Sequence, residues 1–462
     1  MQLRRYDTET GLVDGSIAPA GFERSGLDVQ GKKTLIVLGA AVLALAVIVA
    51  LAVSFNTLLL IYTIFMIFIL MVYLCIWMDG ASDTSEPHVP MDQWPSVTVV
   101  IPSYNAGHTI FECIEACKKM TYKGEKEIIV VDDGSTDGSI DEIHKIKGIT
   151  LLRKEKNAGK GAALNMAIMQ AKGDLVACVD SDTYPETHAL ERAVPFFHDD
   201  PKLGGLVFFI CAANPKTMIQ RLQELEYWVS FGFYFKTISF IKGLHITPGP
   251  MAMYRKSIFI ELGGFDEKNI AEDMEIALRL RRHGWGLTTC HTAKVYTEVP
   301  VSIKALYKQR LRWFRGGILN LFKYTDMFLN PRYGSLGLFT LPMMLSTGLF
   351  AALFTFWMLS DWARSLISAI LPTFSNWQAV LPGLFVLPPL DPLMVSSAIV
   401  VGLVPAVIWG FFLWSGFEIA GEKPKLAHII PCICLMTVYP LFLGVTFLSA
   451  YAHELSGQGY KW

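Results

Sequence analysis

Charge is scarce in this chain. Only 18% of its 462 residues are Asp, Glu, Lys or Arg, and the two signs nearly cancel to a net charge of −1. No basic excess is present to neutralise a phosphate backbone, so no nucleic-acid partner is expected. The eight cysteines form no disulfide or zinc framework. Cys75, Cys432 and Cys434 fall in long apolar runs and Cys178 in an apolar strand candidate. Cys113 and Cys117 stand i, i+4 on a helix candidate with no neighbouring histidine. They read as reduced structural thiols. Internal repeats and low-complexity tracts are absent. So is the G-x-x-x-x-G-K-[ST] spacing, which excludes the common triphosphate-binding loop. Apolar sequence fills the chain instead, at 52% hydrophobic residues, too much for an ordinary soluble protein.

The apolar excess sits in two blocks. Residues 34–78 are almost continuously apolar, with Ser54, Asn56 and Thr57 as the only polar cluster. About 45 residues at ~1.5 Å per residue is twice a bilayer crossing, which predicts a hairpin of two transmembrane helices. The run starts too late and is too long for a signal peptide. The second block, 335–456, holds spans at 336–359, 393–415 and 427–451. The stretch 365–390 contains Pro372, Pro382, Pro388, Pro389, Asn376 and Gln378, and reads as a re-entrant or interfacial segment, with a fourth C-terminal span as the alternative. Arg4, Arg5, Arg24, Lys32 and Lys33 flank the first span, which places the tail 1–33 and the central segment on the cytosolic side. The expectation is a multi-pass cell-membrane protein with a cytosolic catalytic domain.

After a linker at 79–94, residues 95–300 change character. Apolar β-branched runs at 97–101, 127–131, 149–152, 175–179 and 206–210 alternate with helical stretches at 109–119, 139–145, 161–171 and 188–197. That alternation predicts an α/β domain with a mixed, mostly parallel sheet covered on both faces, embedded between transmembrane helices. In such sheets ligands bind beyond the carboxyl ends of the strands.

Candidate site residues collect at those ends. The first strand runs out through Pro102-Ser103-Tyr104-Asn105-Ala106-Gly107, where Asn105 or Thr109 could cap the next helix. The second ends in Asp132-Asp133-Gly134. Two adjacent carboxylates there suit acceptor contacts to a base NH and a ribose hydroxyl, or alternatively an Asp-rich turn that caps a helix. Lys160, between Gly159 and Gly161 at a helix start, suits a diphosphate. Asp180-Ser181-Asp182 follows an apolar strand. Its hard oxygens suit magnesium or manganese bridging a diphosphate, with a plain turn as the alternative. Glu272 and Asp273 open a helix over 273–283, either as a general base for an attacking hydroxyl or as acids favoured by the helix dipole. The loop Thr247-Pro248-Gly249-Pro250-Met251 could line an acceptor site through Gly249 and Met251, or be a turn into a strand. In Gln309-Arg310-Leu311-Arg312-Trp313 an amide, a guanidinium and an indole lie one helical turn apart. They can hold hydroxyls, phosphate and a sugar face, on a segment 301–334 whose mixed basic and apolar make-up suits a headgroup layer.

In order, Asp132-Asp133-Gly134, Asp180-Ser181-Asp182, Glu272-Asp273 and Gln309-x-x-Arg312-Trp313 resemble the signature set of membrane-bound family 2 glycosyltransferases. These include the synthases of cellulose, hyaluronan, chitin and poly-N-acetylglucosamine. The resemblance covers roughly residues 96–324, and the run from Gln309 to Gly317 looks like the poly-N-acetylglucosamine branch. It implies a GT-A fold and inversion at the anomeric carbon. Pro102, Tyr104, Asn105, Asp132, Asp133, Lys160, Asp180, Gln309 and Arg312 would bind a nucleotide sugar, of UDP type. Asp182 with Asp180 would hold a magnesium or manganese ion. Asp273, with Glu272 beside it, would be the catalytic base. Gly249, Met251 and Trp313 would meet the acceptor. The implied activity is extension and export of a β-linked polysaccharide. The alternatives are addition of one or a few sugars to a lipid-linked acceptor, and a non-catalytic partner that binds nucleotide sugar or glycan. The F-x-V-T-x-K gating loop of cellulose synthases is absent.

Overall fold

The computed structural model describes residues 4–7, 11–14, 55–81, 91–375 and 397–456, with single positions at 37 and 44. Its centre is a ten-stranded sheet in the order β2-β1-β5-β4-β3-β6-β9-β8-β10-β7. The strands are β1 (Arg4–Asp7), β2 (Gly11–Asp14), β3 (Val97–Ser103), β4 (Lys126–Asp132), β5 (Thr150–Arg153), β6 (Leu175–Val179), β7 (Thr183–Pro185), β8 (Leu203–Ala212), β9 (Met251–Arg255) and β10 (Gly286–Thr297). β3 pairs in parallel with both β4 and β6, so Asp132 and the Asp180 that follows Val179 leave the sheet at one edge. β9 lies antiparallel between β6 and β8, which makes the sheet mixed. The β1–β2 hairpin extends the sheet beyond β5, so part of the expected tail is strand.

Both faces of the sheet are covered, which explains why the central strands are apolar at successive positions. Val99, Ile101 and Val130 pack with Ile110 and Ile114 of α2 (Thr109–Lys119). Val100, Ile129 and Val131 pack with Ala163 and Leu164 of α3 (Lys160–Gln170) on the other face. Further helices are α1 (Phe55–Ile76), which lies between β2 and β3 in the chain, α4 (Ala189–Asp199), α5 (Met218–Val229), α6 (Glu272–Arg282), α7 (Ile303–Lys323), α8 (Leu341–Ser375), α9 (Ser397–Ala420) and α10 (Val438–Leu455). At the N-terminus of α7 the Ser302 side chain accepts from the Ala305 amide at 3.3 Å, which satisfies one of the orphan donors there.

Among the described residues, two helical stretches, Leu60–Gly80 and Leu336–Ser368, are long and apolar enough to cross a membrane. The expected last span is broken: Ile429–Met436 and α10 meet at 45°. Pro440 lacks the amide that would bond the Met436 carbonyl, and Thr437 sits at φ −115° between the two pieces. Helix α8 continues to Ser375, beyond the expected end of its span. The first helix of the N-terminal hairpin, but for positions 37 and 44, and all of 376–390 lie outside the described residues.

Candidate active site

The Asp-x-Asp turn is stitched down by backbone contacts. The Asp180 amide donates to the Pro250 carbonyl at 3.0 Å, the Thr183 amide to the Asp180 carbonyl at 3.0 Å, and the Glu298 amide to the Asp182 carbonyl at 3.0 Å. The loop ahead of β9 and the end of β10 are thereby drawn to the exit of β6. Lys160, the first residue of α3, lies opposite. Its Nζ is 2.5 Å from Asp180 Oδ1 and 3.6 Å from Glu272 Oε1. Burial disfavours the ammonium, but the Asp180, Glu272 and Asp273 charges outweigh it and hold Lys160 protonated. Gly249 borders this cluster, and a side chain there would displace the Lys160 ammonium. A Cβ there would stand 2.7 Å from Lys160 Nζ and 3.3 Å from Asp180 Oδ2.

Helix α6 delivers the second pair of acids. The Asp273 carbonyl accepts from Thr247 Oγ1 at 2.9 Å, and Tyr254 Oη donates to that Thr247 hydroxyl at 2.7 Å. One carboxylate oxygen of Asp273 accepts from the Met274 amide at 2.8 Å. Burial and the neighbouring Glu272 push the Asp273 carboxyl up to about 6, against the opposing pull of Lys160 and Arg312. That Arg312 favours the charged form shows α7 facing α6 here. The approach rests on Gly316, where a Cβ would lie 2.3 Å from the Ala271 Cβ. Asn320, one turn further, donates to the Ala271 carbonyl at 3.1 Å.

Asp182 is pushed up to about 6, first by burial and then by the Asp180 charge. Its Oδ1 receives only long contacts, 3.4 Å from Thr183 Oγ1 and 3.5 Å from Thr297 Oγ1. Such a poorly compensated carboxylate fits a cation. No group of three or more His, Cys, Asp or Glu able to hold a metal occurs among the described residues. Two carboxylates with the remaining ligands from phosphate and water is the usual arrangement for magnesium.

The structure thus gathers Lys160, Asp180, Asp182, Gly249, Glu272, Asp273 and Arg312 at one sheet edge. Other expected residues stand differently. Asp132 is buried and its Oδ1 accepts from the Ser135 amide at 3.0 Å, closing its own turn. Asp133 accepts from the amides of Ala158 at 3.1 Å and Gly159 at 2.8 Å, and pairs with Lys154 at 2.7 Å. Asp133 is engaged inside the fold and fixes the loop that carries Lys160, whereas Asp132 Oδ2 has no hydrogen-bond partner among the described residues and lies 3.4 Å from Arg153 Nε. Asn105 adopts φ +47° and accepts from the Thr136 amide at 2.8 Å, so it ties two loops together and does not cap α2. Pro102 is buried in β3, and Tyr104 beyond it is exposed. Met251 is fully buried in the core below β9 and offers no side chain to an acceptor; strand alternation turns it inward. Gln309 accepts from Arg310 Nη1 at 2.6 Å.

Residues 98–263 match the family model described as glycosyl transferase family 2. The probable glycosyltransferase YdaM of Bacillus subtilis (strain 168) is 30% identical over 284 residues, covering 57% of this chain and 67% of that protein. The chain belongs to glycosyltransferase family 2. This family 2 glycosyltransferase is also 29% identical over 235 residues to the poly-beta-1,6-N-acetyl-D-glucosamine synthase of Staphylococcus aureus (strain COL). That match takes in 50% of this chain and spans 57% of the synthase's length. Among solved structures, the mannosyltransferase PcManGT from Pyrobaculum calidifontis in complex with GDP-Man and Mn2+ superposes with a TM-score of 0.48 at 20% identity, over 84% of this chain and 98% of that one. S. aureus TarS 1–349 in complex with UDP does so at 0.36 and 20%, over 56% and 80%. The mixed sheet with its helices is of GT-A type, as the motif order implied.

One part of the glycosyltransferase escaped sequence reasoning. Arg310, expected on a surface-lying helix, is 2% exposed. Its guanidinium pairs with Glu226 of α5, donates from Nε to the Tyr439 hydroxyl at 3.0 Å, and lies 4.1 Å from the centre of the Trp313 ring. Tyr439 in turn donates to Glu226 at 2.9 Å. The only signal in the sequence was a charge at an odd place in an apolar surround, since Glu226 precedes Arg310 by 84 positions.

Proposed function

We propose that this protein transfers a sugar, with inversion, from a nucleoside diphosphate sugar to a hydroxyl of a β-linked glycan at the cytosolic face of the cell membrane. The observation that carries this reading is the meeting of Lys160, Asp180, Asp182, Asp273 and Arg312 at the exit of β6. Lys160 and Arg312 bring positive charge to the place where a diphosphate must leave. Asp180 and Asp182 would hold a magnesium or manganese ion, which when bound supplies further charge to the leaving diphosphate. Asp273 takes the proton from the attacking hydroxyl, and a carboxyl titrating at about 6 is mostly in its basic form at neutral pH.

Processive extension with export is the finer proposal. It is supported by Gln309-x-x-Arg312-Trp313 on a helix joined to the apolar helices, and by similarity to a poly-beta-1,6-N-acetyl-D-glucosamine synthase. UDP-N-acetylglucosamine is therefore the first donor to test. A second reading keeps the centre and makes the acceptor lipid-linked; an apolar cavity beside Trp313 favours it. The test is a screen of radiolabelled nucleotide sugars on purified enzyme in lipid with manganese. Long polymer is expected, a single-sugar shift on a lipid selects the second reading, and no nucleotide release with any donor overturns both.

A further inference from the structure

A cavity of about 910 Å³ lies among the apolar helices, bounded by α1, α7, α8, α9 and α10. It falls near the top of the ~300–1,000 Å³ range of small-molecule sites. Trp313, Phe314, Gly317 and Leu321 of α7 line it from one side, with Met344 and Phe447 opposite. Trp313, 41% exposed, belongs to the cavity, while the adjacent Arg312 acts on Asp273. The cavity therefore begins where an acceptor must be presented. Gly317 keeps it open, since within 4 Å a Cβ there would meet only Met344 Cε, at 3.5 Å.

The lining selects the occupant. Most of it is hydrocarbon and aromatic, and among the described residues no lysine, arginine or histidine contributes. The one charged side chain among them, Glu226, is engaged by Arg310 and Tyr439. A hydrated glycan would lose water to such walls with few hydrogen bonds in return, whereas a hydrocarbon tail gains by entering. At the head's end, Lys160 and Arg312 beside Asp273 are taken up by the donor's diphosphate. An acid positioned as a base is needed for a hydroxyl and is superfluous for a phosphate oxygen, which is already ionised.

We propose that this cavity takes the hydrocarbon tail of a neutral, hydroxyl-bearing lipid whose head reaches Asp273 past Trp313 as acceptor. The inference rests on the reading of the site as a hydroxyl-directed sugar transferase, and holds whether one sugar or a chain is added. The lipid oxygen bonds to the anomeric carbon, the bond from that carbon to the diphosphate oxygen breaks, the hydroxyl proton passes to Asp273, and the nucleoside diphosphate leaves.

The full chain, stripped of lipid in detergent, is given labelled donor, manganese and one of three acceptors: dioleoylglycerol, a polyprenyl phosphate or a soluble oligosaccharide. Dioleoylglycerol is expected to raise nucleotide release at least tenfold and to carry the label into the organic phase. Gly317→Leu, which puts a branched side chain into the cavity next to Trp313, is expected to raise the KM for that lipid at least tenfold while UDP binding, measured by calorimetry, stays put. Independently of any variant, a diacylglycerol with a diazirine in its tail is expected to label the segments carrying Leu321 and Met344. Label confined to the outward residues Ile64 and Phe68 of α1, which are 57% and 59% exposed, would mean bulk bilayer contact only and overturn the proposal. So would equal use of the polyprenyl phosphate, or oligosaccharide extension at full rate without lipid; in that last case the transferase reading stands. Nucleotide release with none of the three sinks the transferase reading itself.

Discussion

Asp133 offers the sharpest test of what the paired carboxylates do. Its side chain and that of Lys154 are each 4% exposed and 2.7 Å apart. The same carboxylate receives the Ala158 and Gly159 amides. In Asp133→Asn the shape is kept, but the new NH2 must face either an amide donor or the ammonium, and Lys154 is left buried without a counter-charge. Removing one partner of a buried pair costs about 3–5 kcal/mol. At ~2–4 °C per kcal/mol for a domain of this size, the melting temperature should fall by about 6–20 °C. Lys154→Met in the same background removes the stranded charge and should recover most of that loss. Thermal unfolding followed by tryptophan fluorescence, with UDP affinity measured alongside on the folded protein, reads both. A melting temperature within about 2 °C of the parent, together with a tenfold loss of UDP affinity, would refute the scaffold argument and make Asp133 a nucleotide contact.

Other perturbations follow from the same geometry. Asp273→Asn should cut transfer by about 10²–10⁴-fold with donor binding retained; near-normal turnover removes Asp273 as base. In the parent enzyme kcat/KM should drop about tenfold per pH unit below about 6, where Asp273 becomes protonated. Because that carboxyl is raised in the fold above its ordinary value of about 4, the native state binds the extra proton between those limits. Its contribution to stability is therefore lost as pH rises through that window, and Asp273→Asn should melt higher than the parent at pH 7. Asp182→Asn should raise the manganese concentration for half-maximal UDP release at least tenfold, and an unchanged titration excludes Asp182 as a ligand. Gly316→Ala forces a Cβ to within 2.3 Å of the Ala271 Cβ, costing about 1–3 kcal/mol, and Ala271→Gly should rescue it in melting experiments. Trp313→Ala should raise the acceptor KM more than the UDP dissociation constant, and equal losses argue against its placement at the acceptor.

Much of the domain could be read ahead because local pattern and tertiary role agreed. β6 lies where an unbroken apolar run was found, and α2 spans 109–119 as expected. The later strands could not be read this way. Met251–Arg255 carries no Val, Ile or Thr, and Gly286–Thr297 interleaves half-buried threonines with Cys290 and His291. Their positions come from pairing with distant strands. Among site residues, Lys160, Asp180 and Glu272 each sit at an element boundary, where position in the sequence translates directly into position at the sheet edge. Asp133 and Arg310 do not yield to that logic. What decides their surroundings is Lys154 on another loop and Glu226 on another helix, and a carboxylate in a motif looks the same whether it faces a ligand or an ammonium.

The neighbouring glycines of α7 have a mechanical consequence. Gly316 lies on the row with Arg312 and Asn320 that meets α6, and Gly317 on the row with Trp313 and Leu321 that borders the cavity. One residue advances a helix by about 100°, so the angle between the rows is fixed. Arg315 pairs with Glu454 and Phe314 stacks edge-on against Phe447, both on α10, so the helix is also geared to its apolar neighbour. A roll of α7 toward α6 would drive Gly316 into Ala271, where no space remains. Bilayer thickness, by tilting α10, should therefore register as turnover at Asp273, and host-lipid chain length becomes a dial on the rate.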